Sequence, residues 1–313
     1  MNRSWLAALC LAACTHAPEI TTEPAGPTPA DPGAAFAWDA PGQRIAFAGK
    51  GLRIRDAATG KEQVLAQPSP SGVCWSPDGL QLVAAFPNAT GSTLKVLNLE
   101  GKVVREATVA GAVRGLAWGR AAGILAAGTE VQKFSFGGHL RTLLHRWPAD
   151  AEPVLTVASE TTLMPAVAHH IGTDLVRGQQ LALAPLEDEV VYSRLVSPPD
   201  VPPYQEIVLR HLATGAEKAV AQIGLAPGTS TFAADGEEIV VCEATCQRVD
   251  PWSGRRTPVA NPGATLQQPA PQVAAALPAQ AQAGRLLELR KLRDQGLITP
   301  DDYAAQKAKV LQP

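Results

Sequence analysis

Apolar and polar residues alternate in short runs along most of the chain, and turn-forming residues interrupt each run. In GVCWSPDGLQLVAAF, residues 72–86, an apolar entry ending in Trp75 leads into Ser-Pro-Asp-Gly and then into a second β-prone run. Short period-two runs bounded by Gly, Pro, Asp and Ser predict strands joined by tight turns. The same shape recurs in FAWDAPGQRIAFAG from Phe36, LAWGRAAGILAAGT from Leu116 and FAADGEEIVVCE from Phe232, with a weaker copy, LALAPLEDEVVYSR, from Leu181. A second shape follows each of these. LRIRDAATGKEQVL (52–65), LKVLNLEGKVVREA (94–107), VQKFSFGGHLRTLL (131–144), EIVLRHLATGAEKAV (206–220) and CQRVDPWSGRRTPV (246–259) each read as strand, Gly-containing turn, strand.

Each repeating unit therefore holds four short strands. Trp38, Trp75 and Trp118 recur at spacings of 37 and 43 residues, and four-stranded units of about 40 residues are the signature of β-propeller blades. The expected fold is mainly β: a propeller of five to six four-stranded blades over residues 35–257, followed by a small C-terminal α-helical hairpin. Five blades are recognisable. The 65 residues between the units at 116 and 181 are too many for one blade, which places a sixth, decayed blade around 153–180. WSPDGLQLVAAF followed by LKVLNLEG resembles the WD40-like repeat of bacterial TolB-type propellers, well over 72–101, fairly over 35–66 and only faintly over 155–205. Asp78-Gly79 stands where other copies carry Pro41-Gly42 and Asp235-Gly236, so it reads as a repeated turn rather than a catalytic pair. The repeated tryptophans read as packing between blades.

The two ends of the chain differ from the middle. MNRSWLAALCLAACTHAP has one early basic residue, Arg3, and an apolar run too short to span a bilayer, the pattern of a secretory signal peptide over residues 1–13. Leu11-Ala12-Ala13-Cys14 resembles the lipobox of bacterial lipoproteins, which implies lipidation of Cys14 and anchoring by acyl chains at ~0.8 kcal/mol per buried methylene. Cys10 follows bulky Leu9 and fits that pattern poorly. Thr15, where inner-membrane lipoproteins commonly carry Asp, implies an outer-membrane address in the cell envelope, either periplasmic or surface-exposed. Residues 14–34 contain five prolines and no apolar period, so they read as an extended tether.

Residues 258–283 form an uncharged linker rich in Pro, Gln and Ala. Residues 284–313 change character again. Leu286, Leu289 and Leu292, with Leu287, fall at helical spacing. Gly296 ends that helix, and Thr299 caps a second one that begins with Pro300, Asp301 and Asp302. Leu286 to Leu292, Gly296-Leu297-Ile298-Thr299, Asp301-Asp302, Tyr303 and Lys307 with Lys309 resemble the SHOCT domain, with Asp302 where that family usually has Glu. The resemblance implies oligomerisation or partner docking, and a hairpin of about thirty residues needs a surface to pack on. That surface is a second copy, the propeller or another protein.

Composition narrows the function. A formal net charge of −2 on 313 residues gives no electrostatic case for nucleic acid. Cys242 and Cys246 frame Glu-Ala-Thr and suit a disulfide across a hairpin in an exported protein. Cys74 reads as a small core residue. His169 and His170 are adjacent and point to opposite faces of any strand, so even with Asp174 nearby they read as loop rather than metal site. The proline-rich SPPDVPPYQE, residues 197–206, marks Asp200 and Tyr204 as contact candidates on a recognition loop. Leu286, Leu289, Leu292, Ile298 and Tyr303 are the contact candidates of the hairpin. No Gly-x-Ser-x-Gly elbow, P-loop or dinucleotide fingerprint is present, and nothing calls for a metal or a cofactor. The leading expectation is a non-enzymatic envelope lipoprotein that binds an unknown protein partner, with homo-oligomerisation through the hairpin. The alternatives are a propeller hydrolase or lyase, and a carbohydrate-binding propeller with Trp147 and Trp252 as the rings to inspect.

Overall fold

The computed structural model describes residues 35–311, apart from 40–41, 135–136, 164–180, 199–200, 225–228, 233–235, 237, 244 and 260–279. Its strands form five antiparallel four-stranded meanders. Blade one holds β1 (Phe36–Trp38), β2 (Arg44–Gly49), β3 (Gly51–Asp56) and β4 (Glu62–Ala66). Blade two holds β5 (Gly72–Trp75), β6 (Gln81–Pro87), β7 (Gly91–Asn98) and β8 (Val103–Ala110). Blade three holds β9 (Ala112–Gly119), β10 (Gly123–Phe134), β11 (Gly137–Trp147) and β12 (Val154–Leu163). Blade four holds β13 (Leu181–Leu183), β14 (Glu189–Val196), β15 (Tyr204–His211) and β16 (Glu217–Ile223). Blade five holds β17 (Thr229–Phe232), β18 (Ile239–Cys242), β19 (Cys246–Val249) and β20 (Arg256–Val259). The first strands pack in succession, β1 on β5, β5 on β9, β9 on β13 and β13 on β17, as the inner strands of a propeller do.

The core lies between blades rather than within them, and the period-two alternation explains how. In β6, Leu82 and Ala84 face blade one together with Ala46, Leu52 and Trp75, whereas Val83 and Ala85 face blade three with Val113 and Ile124. A strand buried on both sides reads as a continuous apolar run, which is what LVAAF is. The seam of blades three and four is built on Ala117, Leu125 and Val190. That of blades four and five uses Val191, Ile207 and Leu209 against Ile239, Val241 and Val249. Trp75 and Trp147 are buried, and Trp118 packs on the seam of blades two and three. The Trp75 indole donates across the blade boundary to the Ala37 carbonyl at 3.0 Å.

The expected sixth blade is corrected at its start. Val154–Leu163 forms the outer strand of blade three, paired with β11 from Gly138 to Arg146. Strands of 12, 11 and 10 residues absorb much of the extra length there. A long β11 leaves a matching row of backbone donors and acceptors, and the alternating VLTVASETTL satisfies them in place. Residues 164–180, with His169, His170 and Asp174, lie outside the described residues, and five blades are formed among the described ones.

Two seam residues lead to predictions. Gly101, in the β7–β8 turn, has φ 82° and abuts blade one so closely that a Cβ would sit 2.4 Å from the Leu65 carbonyl oxygen. Its counterpart Gly60, in the β3–β4 turn, has φ 68° and nothing within 4 Å of that point. Gly60→Ala is expected to cost about 1–2 kcal/mol for its left-handed backbone alone. Gly101→Ala adds a clash with neighbouring backbone and is expected to cost about 3 kcal/mol or more, which urea unfolding of the two variants side by side will measure. Equal costs would show that the blades do not approach this closely.

His145 lies on the seam of blades two and three, 3 % exposed, with Nε2 2.9 Å from the Ala110 carbonyl oxygen. Burial lowers its pKa from the ordinary 6.5, and the carbonyl contact opposes that only in part. The unfolded chain therefore binds more protons than the fold between 6.5 and the depressed folded value. Stability from this residue is complete above 6.5 and is lost as pH falls through that window. Thermal unfolding followed from about pH 7.5 down to about pH 5 is expected to show a falling Tm whose slope flattens in His145→Gln.

Candidate functional site

Blades one, two and four turn from the inner strand to the second strand in a tight, recurring geometry. Gly42 N–H donates to the Asp39 carbonyl, Gly79 N–H to the Ser76 carbonyl and Glu187 N–H to the Ala184 carbonyl. The last residue of each turn has a left-handed backbone, with φ 67° at Gly42, 70° at Gly79 and 59° at Glu187. Asp78 serves this geometry. It accepts from the Ser76 hydroxyl at 2.6 Å and the Leu80 N–H at 2.9 Å, and those two donors hold its carboxyl below the ordinary range. The acid of Ser-Pro-Asp-Gly is engaged in its own turn.

These turns also clamp neighbouring blades. At the seam of blades one and two, Arg44 donates to Asp39 at 2.8 Å and to the Gly79 carbonyl at 2.8 Å, with its guanidinium 4.7 Å from the Trp75 ring centre. At the seam of blades three and four, Glu187 accepts from the backbone N–H groups of Arg120, Ala121 and Ala122 at 2.6–2.8 Å. Three charge-assisted bonds offset the strain of a left-handed non-glycine residue.

At the seam of blades four and five the cation comes from the far end of the chain. The C-terminal hairpin is α1 (Gln280–Asp294) and α2 (Pro300–Leu311). Leu297 N–H donates to the Leu292 carbonyl and Gly296 N–H to the Arg293 carbonyl, so α1 closes in a Schellman motif with Gly296 at φ 69°. Thr299 and Asp302 cap α2 reciprocally. The Asp302 N–H donates to the Thr299 hydroxyl at 3.1 Å, and that hydroxyl donates to the Asp302 carboxylate at 2.7 Å. The α1 face turned inward carries Leu286, Leu289, Arg290 and Arg293, all buried.

Arg290 Nη1 donates to both Asp188 oxygens at 2.7 and 2.8 Å and lies 3.4 Å from Glu189 Oε2, while Nη2 donates to the Gly236 carbonyl at 3.1 Å. The three side chains are 4 %, 12 % and 7 % exposed. One turn later the Arg293 guanidinium lies 4.1 Å from the Trp252 ring centre and 4.6 Å from that of Tyr303 in α2. Lys218 stands 4.9 Å from the same Trp252 ring. Asp188, Gly236 and Trp252 belong to the turns β13–β14, β17–β18 and β19–β20, which a meander puts at one end of its blades. Beside the arginines a cavity of about 720 Å³ opens between α1 and blade four, edged by His211, Thr214, Lys218 and Gln295.

The structure distributes the residues singled out from sequence. Leu286, Leu289 and Tyr303 are buried where the hairpin closes and docks, Ile298 is half-buried, and Leu292 is 37 % exposed. At 100° per residue Leu292 lies roughly 120° from Leu286 round the helix, whereas Arg290 and Arg293 stay within about 40° of it. Two arginines in the register of an apolar stripe were the signal for the docking contact. Tyr204 opens β15 opposite Val196, half-buried. Cys242 and Cys246 face each other across β18 and β19 and are joined by a disulfide. Cys74 packs on the seam of blades two and three, where burial pushes its thiol up to about 12. Trp147 is buried beneath the Arg105 guanidinium. Cys14 and Asp200 lie outside the described residues.

Residues 285–311 match the family model described as SHOCT, short C-terminal domain. The hairpin is a SHOCT domain. No curated protein matches the chain. Among solved structures, Kuenenia stuttgartiensis hydrazine synthase is similar with TM-score 0.47 and 14% identity, over 73% of this chain and 66% of that one. TolB from Acinetobacter baumannii is similar with TM-score 0.45 and 12% identity, over 71% and 52%. The chain thus spans about two thirds of the first and half of the second. The SHOCT domain here is packed on the end of the propeller that bears the turns of blades four and five.

Proposed function

We propose that this protein is a non-enzymatic, lipid-anchored scaffold of the bacterial cell envelope, whose propeller binds another protein and whose SHOCT hairpin governs docking of partners or copies. The observation that carries the reading is the way the hairpin is mounted. Arg290 and Arg293 fix it across one end of a rigid blade assembly, while Leu292 and Leu297, 37 % and 66 % exposed, face outward. Asp188, Glu189, the Gly236 carbonyl and Trp252 at this end are engaged in holding the hairpin. Carbohydrate binding is less favoured, because Trp147 is buried and Trp252 is covered by Lys218 and Arg293. The lipobox-like Leu11-Ala12-Ala13-Cys14 and the proline-rich residues after it support the anchor, and Cys14→Ser is expected to move the protein from the membrane fraction to the soluble one.

Affinity capture from gently crosslinked cells, with mass spectrometry, tests the scaffold. The full chain is compared with a chain ending at Asn261. Loss of a partner or of self-capture on truncation supports a hairpin-dependent scaffold. Retention of the same partners assigns binding to the propeller. Capture of nothing by either form sinks the scaffold reading and turns attention to substrates.

A further inference from the structure

The turn register shows what blade four lacks. The residue whose carbonyl accepts from the inner strand after the turn is Arg44 in blade one, Gln81 in blade two and Glu189 in blade four. Arg44 bridges its own blade's carboxylate, Asp39, to the carbonyl of the next blade's turn, Gly79. Blade four has an acid at that register and a second acid, Asp188, just before it. Arg290 supplies the missing cation. It contacts the blade-four carboxylates and the Gly236 carbonyl of blade five, the glycine at the same turn position as Gly79. The second arginine meets Trp252 much as Arg44 meets Trp75.

We infer that this end of blades four and five is a receptor for a helix bearing two arginines one turn apart. An acidic pocket with a carbonyl takes the first guanidinium, and an indole platform takes the second. The chain's own α1 fills the receptor in cis, and an Arg-x-x-Arg helix of a partner polypeptide competes for it. Charge complementarity defines this occupant. Asp188 and Glu189 converge on Nη1 while Nη2 of the same planar guanidinium reaches the Gly236 carbonyl, so one arginine joins the carboxylates to the next blade where a lysine lacks the second arm. Twenty residues separate Val259 from Gln280, so cis occupancy is an intramolecular event with an effective concentration of order millimolar. A competitor gains access when it exceeds that, or when α1 is engaged elsewhere. The biological use of the receptor rests on the scaffold reading, but the receptor itself rests on the contacts above.

The test uses the full chain carrying Arg290→Ala and Arg293→Ala, which empties the receptor and leaves its acids and indole in place. The probe is a fluorescent synthetic peptide of residues 280–311. The peptide is expected to bind this variant at least about tenfold more tightly than it binds the wild-type chain, to weaken with added salt, and to lose binding when its own two arginines become alanine. Equal binding to variant and wild type, binding by the alanine peptide, or no binding at all overturns the receptor. Should the double variant fail to show the wild-type far-UV spectrum, Arg290→Ala alone, which empties the acidic pocket, is read by the same criteria. Failure of the peptide leaves the capture result untouched, and failure of capture leaves the peptide result untouched.

Discussion

Arg290→Ala releases the SHOCT hairpin while the propeller stays folded. The guanidinium lies between Asp188 and Glu189, and the side chains of all three are largely buried. Removing the cation leaves two carboxylates facing each other in a desolvated seam, and breaking a buried pair from one side costs about 3–5 kcal/mol. The relief is local. Undocking α1 returns both acids to water, so the free energy is lost from hairpin docking rather than from the blades. A loss of about 3 kcal/mol raises the undocked population roughly a hundredfold. Hydrogen exchange in residues 280–311 is expected to accelerate by about that factor, with a change of only a few degrees in the Tm of the propeller. Arg290→Lys should fall between, because a lysine restores charge but not the reach to Gly236. Unchanged exchange in the alanine variant would show that other contacts hold the hairpin.

Leu82→Ala is expected to have the larger effect on the propeller itself. Leu82 is fully buried in β6, against Ala46 of blade one and Leu97 of its own blade. The seam is backed by strands on both sides and has little room to collapse, so the truncation should cost about 3–5 kcal/mol. At roughly 2–4 °C per kcal/mol for a domain of this size, Tm falls by about 6–20 °C. Leu80→Ala is the matched comparison. Leu80 is 61 % exposed in the adjoining turn, and its loss should stay within about 0.5 kcal/mol. Calorimetry of the two variants decides whether the seams carry the stability. Similar shifts for both would contradict the placement of Leu82.

Local signals in the sequence located most of the strands. The run LQLVAAF after Ser-Pro-Asp-Gly became β6 because short alternation and a Gly that tolerates φ 70° are properties of a few adjacent residues. The same holds for Gly296 and Thr299, which end one helix and begin the next. The decayed blade expected around 153–180 was misread at 154–163, because an outer strand and the first strand of a new blade alternate alike. Only the partner across the ladder, β11, distinguishes them.

The docking site was hidden for a related reason. Charged residues on a short helix ordinarily read as a solvated face, so Arg290 and Arg293 carried no mark of burial beyond their register with Leu286. Asp188 and Glu189 sit in the weakest copy of the repeat with no local pattern to single them out, and Trp252 stood out only as a ring to inspect for carbohydrate.

What the sequence determined by itself was the menu of elements, the turn chemistry, the helix caps and the resemblance of the last thirty residues to a known short domain. All of these follow from conformational preferences that act over a few residues. Tertiary structure alone decided that β12 closes blade three, that Glu187 clamps the turn of the preceding blade, and that Arg290 reaches an acid 102 residues away in sequence. Those outcomes depend on which distant surface arrives to desolvate and pair a charge. Coulomb energy and burial have no sequence periodicity, so they become visible only once the chain is packed.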